Sequence, residues 1–358
     1  MKNQVLVLRK MYLAALFVTG MQAETFAGVA GGDTLPKPHV AAPHLEKFND
    51  WIVIKAAFVN SAESYSVDAG TYHLELQPNP SELFRTYFNY RFVSFYITYI
   101  PHFLPANNDN DIKGRSKGGG LGLSYNNNEW FGGVSYGRTK GYYVSNTSHF
   151  RPGWKEGDPY IQIPDLRITN FEASVGYNTN QAFSMSAVSD QTQRQLKSAG
   201  AFIPRLALRY YITNDGSPSP TTQKANNLQV LLGAGYHHTF VLNRTLYLSG
   251  AFTPSFGYIY TKLLTRDPAG NIHSTINSPV YQWDARLGIG YNGHRFFCGT
   301  YGTVLSSRYT QGLSTAVNRN IMVSLQLFLG IRIGEPKPLG RMYKKVLRPP
   351  AVSQESGR

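Results

Sequence analysis

Asp109, Asp111 and Gly114 have the spacing that opens a calcium loop, where Asp and Asn side chains at alternate positions offer hard oxygen ligands. The pattern then breaks. Lys113 stands where a further oxygen ligand belongs, and Gly120 where the bidentate Glu should be. An Asn/Asp-rich turn explains the run by backbone preference alone. Gly118-Gly119-Gly120-Leu121-Gly122 has the glycine density of a phosphate loop but lacks the Gly-Lys-Ser/Thr ending and a following helix. Glycine at small-residue positions of a curved strand accounts for it better. His238 has the chemistry of a base for a nucleophilic serine, as a lipid-modifying site would need. The positions expected to face it are Leu246, Leu248, Phe202 and Leu206, none of them a nucleophile or an acid. Beside Tyr236 and Phe240, His238 fits an interfacial aromatic girdle instead. His237 points the other way, with Thr239, and has no acidic partner in sequence. The single cysteine, Cys298, excludes an internal disulfide and a Cys-based zinc site. No catalytic, cofactor-binding or metal-ligating residue is assigned, and no cofactor is expected.

The formal charge of +14 raises nucleic acid as a partner. The basic residues are scattered, however, and no zinc-finger spacing, RNA-recognition signature or basic helix accompanies them. No nucleic-acid partner is expected.

The elements that position these side chains repeat every two residues. Ile321, Val323, Leu325, Leu327, Leu329, Ile331 and Ile333 point one way, and Met322, Ser324, Gln326, Phe328, Gly330 and Arg332 the other. Aliphatics on one face with polar and small residues opposite suit a strand between lipid and a wet or packed lumen. The same alternation runs through 170–177, 201–212 and 280–292. Twelve strands are expected near 70–78, 82–90, 92–101, 117–126, 129–143, 166–178, 200–212, 226–239, 244–262, 280–292, 295–308 and 319–334. Short links at 126–128, 242–243 and 292–294 carry Asn and Gly, as tight hairpins do. Long polar links fall at 102–116, 144–165, 213–225, 263–279 and 309–318. Counting back from a periplasmic carboxyl terminus, these long links land outside and the tight turns inside, which is the outer-membrane arrangement. The link 179–199 departs from that rule, being long yet periplasmic. Phe183, Met185, Ala187 and Val188 give it apolar anchors, and Gln193, Arg194 and Lys197 can bond barrel-end backbone, so an ordered segment is expected.

The strand phase sends Glu75, Glu172, Arg205, Arg209, His237, Asp284, Arg286 and Arg332 into the lumen as candidate site residues. Isolated buried charges cost several kcal/mol, so a paired network or a wetted channel is expected around them.

At the amino terminus Lys2, Arg9 and Lys10 precede an apolar run, Met11 to Val18, and then small residues. That is the order of a secretory signal peptide, assigned to 1–30, and the run is too short to span a bilayer as a helix. Residues 31–69 are read as a periplasmic spacer in which 51–60 forms a plug or cap, 70–335 as the barrel, and 336–358 as a basic periplasmic tail.

Two segments resemble a known family. One is Pro105-Ala106-Asn107-Asn108-Asp109-Asn110-Asp111-Ile112-Lys113-Gly114-Arg115-Ser116-Lys117. The other is Phe183-Ser184-Met185 with Gln193-Arg194-Gln195-Leu196-Lys197-Ser198-Ala199-Gly200. Both are similar to the family called domain of unknown function 4421, exported proteins of Bacteroidota-type bacteria expected to form outer-membrane barrels. The resemblance covers about residues 50 to 335, with Ala201 standing where a serine is expected. It implies a fold and a location and brings no catalytic residues. The expected fold is all-β, a single antiparallel transmembrane β-barrel of about twelve strands preceded by a cleaved signal peptide. The expected role is binding or structural, or a narrow pore with a charged lumen, in contact with outer-membrane lipid. The alternative is a lipid-modifying barrel enzyme.

Overall fold

The computed structural model describes residues 43–341, apart from 70, 71, 80, 81, 105, 106, 311–316 and 339. The signal peptide, residues 31–42 of the spacer after it and residues 342–358 of the tail lie outside the described residues. In chain order the strands are β1 (Leu45–Lys47), β2 (Trp51–Ala69), β3 (Tyr72–Gln77), β4 (Glu82–Tyr90), β5 (Val93–Tyr99), β6 (Lys117–Asn126), β7 (Trp130–Val144) and β8 (Ile161–Tyr177). They continue with β9 (Gln193–Gln195), β10 (Ala199–Asp215), β11 (Thr222–Val241), β12 (Leu246–Arg266), β13 (Ile272–Asn292), β14 (Phe296–Thr310) and β15 (Val317–Gly334).

All but β1 and β9 belong to one 13-stranded antiparallel sheet, and β15 pairs with β2 to close it. β3 meets only the outer end of β2 and the end of β7, so twelve strands form the complete ring. Closure leaves no unpaired edge, the condition for backbone to cross hydrocarbon.

The first strand of the ring corrects the sequence reading of 51–60. These residues are not a plug; they are the inner part of β2, with Leu325 opposite Asn60 and Gly334 opposite Trp51. Residues 72–77 are not a separate crossing either. β3 and β4 both run antiparallel to β2, against its outer and inner parts respectively, as two sections of one broken strand. The two changes cancel in the count and keep the parity of the loops.

Local chemistry sets the hairpins. Asn127 Oδ1 accepts from the amides of Glu129 (3.1 Å) and Trp130 (2.7 Å), and Asn128 takes φ +78°, a left-handed conformation that Asn tolerates. Asn243 Oδ1 repeats the device with the amides of Thr245 (2.9 Å) and Leu246 (2.8 Å). In β7 a register shift between Lys140 and Tyr142 turns on Gly141, whose φ of +92° most side chains avoid.

The outer face carries exposed Leu325, Leu327 and Leu329 on β15, Leu287 and Ile289 on β13, and Leu228, Val230 and Leu232 on β11. Exposed aromatics flank them. Trp130, Tyr125, Tyr291, Phe296 and Phe240 stand near the inner strand ends, and Tyr99, Tyr210, Tyr258, Tyr260 and Tyr281 towards the outer. An apolar band between two aromatic belts is the surface a bilayer covers. β12 and β13, of 21 residues each, are about 70 Å long, far more than a core of about 30 Å requires, so their hairpin stands well clear of the membrane.

Candidate functional site in the lumen

The long inner link is folded back into the barrel. Residues 178–198 join β8 to β10, and β9 within them pairs antiparallel with β1, Leu45 against Gln195 and Lys47 against Gln193. Phe183, Ser184, Ser186, Ala187, Val188 and Gln191 are all buried. This two-stranded insert is the plug that the sequence reading assigned to residues 51–60.

Its fastening begins at Arg332. That guanidinium is 1% exposed and lies between the rings of Phe48 and Phe297, 3.9 and 4.9 Å from their centres. It donates to the carbonyls of Gln191 (2.9 and 2.7 Å), Gly293 (2.5 Å) and His294 (3.2 Å), and to Asn292 Oδ1 (2.5 Å). Arg332 therefore does not enter an acid–arginine network; four acceptors on the plug and on the β13–β14 turn region take its five hydrogen bonds. Gln191 is held at φ +60° while its side-chain amide donates to the hydroxyls of Tyr247 (3.3 Å) and Tyr301 (3.2 Å). A buried non-glycine residue in that region persists because its surroundings over-determine it. Lys55 Nζ donates to the Ser189 carbonyl at 2.5 Å and sits 3.8 Å from the Tyr87 ring centre. Asn89 donates to the Asp190 carbonyl at 2.8 Å, and Tyr301 donates to the Val188 carbonyl. Burial pushes the Asp190 carboxyl pKa up; the charged Lys55 and the side chains of Ser189 and Asn126 pull it back.

Outward of the plug lies a cavity of about 570 Å³. Arg205 on β10 meets Asp284 on β13 at 2.5 Å. Two strands separate β10 from β13, so this pair spans a chord through the interior. Arg209 pairs with Glu172 at 3.2 Å and donates to Asn170 Oδ1 at 3.1 Å. Arg286 stacks on Tyr301, its guanidinium carbon 4.0 Å from the ring centre. His237 Nε2 lies 3.4 Å from Thr253 Oγ1, and its ring meets the edge of the plug residue Phe183. Further out the lumen narrows between Tyr211 and Tyr309, whose hydroxyls are 3.2 Å apart.

Glu75 is elsewhere. On β3 it stands opposite Ser66, on the other face from Tyr65 and Leu76, which pack inward with Tyr142. It bonds His73 Nε2 at 2.9 Å, while Asp68 bonds His73 Nδ1. These two carboxylates, Glu75 foremost, raise the His73 pKa above its usual value. The strand phase assigned to Glu75 is thus corrected, because β3 takes its phase from β2.

Lys55, Glu63, Arg85 and the plug residues Asp190 and Gln191 were not among the sequence candidates. The signal for Lys55 was present in Val53, Lys55, Ala57 and Val59 alternating with Ile52, Ile54, Ala56 and Phe58. Apolar residues on both faces of that stretch concealed its phase. Of the other candidate sites, Asp109 is bonded by Lys113 Nζ at 2.8 Å. Among the described residues no three His, Cys, Asp or Glu side chains converge to hold a metal ion. His238 contacts the Tyr236 hydroxyl at 3.2 Å and the Phe240 ring, 4.1 Å between centres.

Residues 43–332 match the family described as "Domain of unknown function (DUF4421)". None of the curated proteins matches the sequence. Among solved structures the chain is similar to the outer membrane protease OmpT from Escherichia coli, at 10% identity and a TM-score of 0.40, over 80% of this chain and 98% of that one. The translocator domain of the autotransporter NalP from Neisseria meningitidis gives 7% identity and a TM-score of 0.27, over 79% and 88%. The attachment invasion locus protein Ail of Yersinia pestis gives 9% and 0.20, over 78% and 99%. The barrel assignment rests on the strand pairing of the chain itself.

Proposed function

Because the chain belongs to the family of domain of unknown function 4421, we propose that it is an exported outer-membrane protein of Bacteroidota-type bacteria, a barrel closed at its periplasmic end that serves a binding or structural role. The observation that carries this reading is the inserted link 178–198, tied to the wall through Arg332, Lys55, Asn89 and Tyr301. A segment meant to leave a free channel has no need of buried donors from four ring strands. Above that floor the acids and arginines are largely paired, which suits a chamber better than a conduit. Lipid modification at His238 has no supporting observation, since its close partners are a tyrosine hydroxyl and a phenylalanine ring.

Two readouts test the proposal together. Expressed in a Gram-negative host, the protein should fractionate with the outer membrane, and a surface reagent should label cysteines placed at 267–271 but not at 344–345. Vesicles containing the purified protein should not swell in isosmotic arabinose. Rapid swelling, or external labelling at 344–345, would overturn it.

A further inference from the structure

We infer that the chamber above the plug binds a small organic anion, a carboxylate or phosphate monoester with an apolar portion, through the guanidinium of Arg286. The inference rests on the closed-barrel reading for its chamber and goes beyond it in naming a ligand class. Three cations, Arg205, Arg209 and Arg286, line this space against three acids, Glu172, Asp190 and Asp284, and two more, Lys55 and Arg85, stand close enough to act on those charges. Four of the cations are engaged: Arg205 with Asp284, Arg209 with Glu172 and Asn170, Lys55 with the Ser189 carbonyl, and Arg85 with Thr98 Oγ1 (2.8 Å) and the Tyr87 hydroxyl (3.3 Å). Arg286 has neither a hydrogen bond nor an ion pair to any described residue, and its Nε is buried without a partner. A charged donor without a protein partner in the interior calls for a group that the protein does not itself supply.

The geometry describes that group. Stacking on Tyr301 fixes the plane of the guanidinium, and a planar fork of N–H donors matches a carboxylate or a phosphate. Tyr301 is itself locked by Tyr247 (2.7 Å between hydroxyls) and by the plug carbonyl of Val188, so the fork is held before a ligand arrives. Gln282 and Thr303 line the same space and can donate beside it, whereas Phe183, Met185, Val188 and Ile203 form an apolar wall. A polar anchor facing an apolar wall fits an anion that carries a hydrocarbon or aromatic part. About 570 Å³ lies in the ordinary range of small-molecule sites, roughly 300–1,000 Å³.

The test is calorimetric titration of the full barrel in detergent, with empty micelles as the blank and phenyl phosphate, benzoate, inorganic phosphate and benzyl alcohol as probes. Phenyl phosphate and benzoate should saturate at one per barrel, inorganic phosphate should bind more weakly, and benzyl alcohol should not bind. Arg286→Gln should weaken phenyl phosphate about tenfold or more. Arg286→Lys should fall between, keeping the charge and losing the fork. Arg308→Gln, on an exposed residue, should leave binding unchanged. Equal binding of benzyl alcohol and phenyl phosphate by the intact protein would overturn the inference even if Arg286→Gln failed to fold, as would unchanged affinity in a folded Arg286→Gln. Absence of binding by a barrel that does not swell vesicles removes the anion site alone. Swelling of those vesicles removes the closed barrel and leaves the titration to decide on the site.

Discussion

Arg332 shows how one side chain can decide whether an inserted segment stays in place. Its removal would orphan the buried carbonyls of Gln191 and Gly293 and the buried Asn292 Oδ1, at a cost of roughly 1–3 kcal/mol for each acceptor left without water. Arg332→Ala should therefore destabilise the barrel by about 3 kcal/mol or more and lower its unfolding temperature, read by heat-induced mobility change on gels. Arg332→Lys should recover little of that loss, because an ammonium cannot reach so many acceptors in one plane. A variant as stable as the parent would mean the guanidinium does not hold the plug. His73 makes a second prediction at this scale, on the outer extension. Glu75 and Asp68 favour its charged form and raise its pKa, so the stability it contributes is complete below the unfolded value of about 6.5. That contribution is lost as pH climbs through the raised folded value. The His73 ring-proton NMR titration should have its midpoint above 6.5, and a midpoint at or below it would contradict the arrangement. Alternation in the sequence phases Arg332 inward, but its partners belong to turns and to a link far away in the chain, and alternation says nothing about those.

At the scale of elements, the plug and β2 exchanged places between the two readings, and the reason is physical. Period-two alternation reports which side chains share a face; it does not report what lies beyond that face. Apart from Lys55, residues 51–59 are apolar on both sides because one face meets lipid while the other packs on the plug through Val53, Ala57, Val59 and Val188. That double burial imitates a soluble inserted segment. Residues 179–199 advertised their anchors, Phe183, Met185, Ala187 and Val188, yet composition alone could not distinguish a cap outside the barrel from an insert within it. β3 misled for a similar reason, since two sections of one wall position, β3 ending at Gln77 and β4 beginning at Glu82, read by alternation as two strands. The plug's amides should be protected. Ala187 bonds Ser184 Oγ (3.0 Å), Ser189 bonds the Met185 carbonyl (2.9 Å) and Gln191 bonds the Ser186 carbonyl (2.7 Å), all in buried surroundings. Hydrogen exchange over 184–191 should take hours, while the exposed stretch 151–157 exchanges within seconds. Comparable rates for the two would mean the insert leaves the barrel freely.

For the whole molecule, the even strand count, the parity of long and short links and the apolar outer face were legible in the sequence, because each follows from patterns repeated along the chain. What closes the ring was not legible. The pairing of β15 with β2 joins residues from Asp68 with Val317 to Trp51 with Gly334, far apart in the chain, and a local pattern carries no record of such a contact. The interior was only partly legible: Arg205, Arg209 and Asp284 could be phased inward, but the match of Arg205 to Asp284 depends on the curvature of the closed wall. A twelve-stranded ring lies between barrels that side chains fill and porins that stay open, so the strand number does not settle conduction, and the proposal turns on the insert. The central claim is that the insert shuts the barrel. Its most direct test is single-channel recording in planar bilayers, comparing the intact protein with one in which 181–197 is replaced by a short Gly-Ser turn. The intact protein should stay silent and the shortened one should show a steady ohmic current. An intact protein that conducts as well as the shortened one would contradict the account.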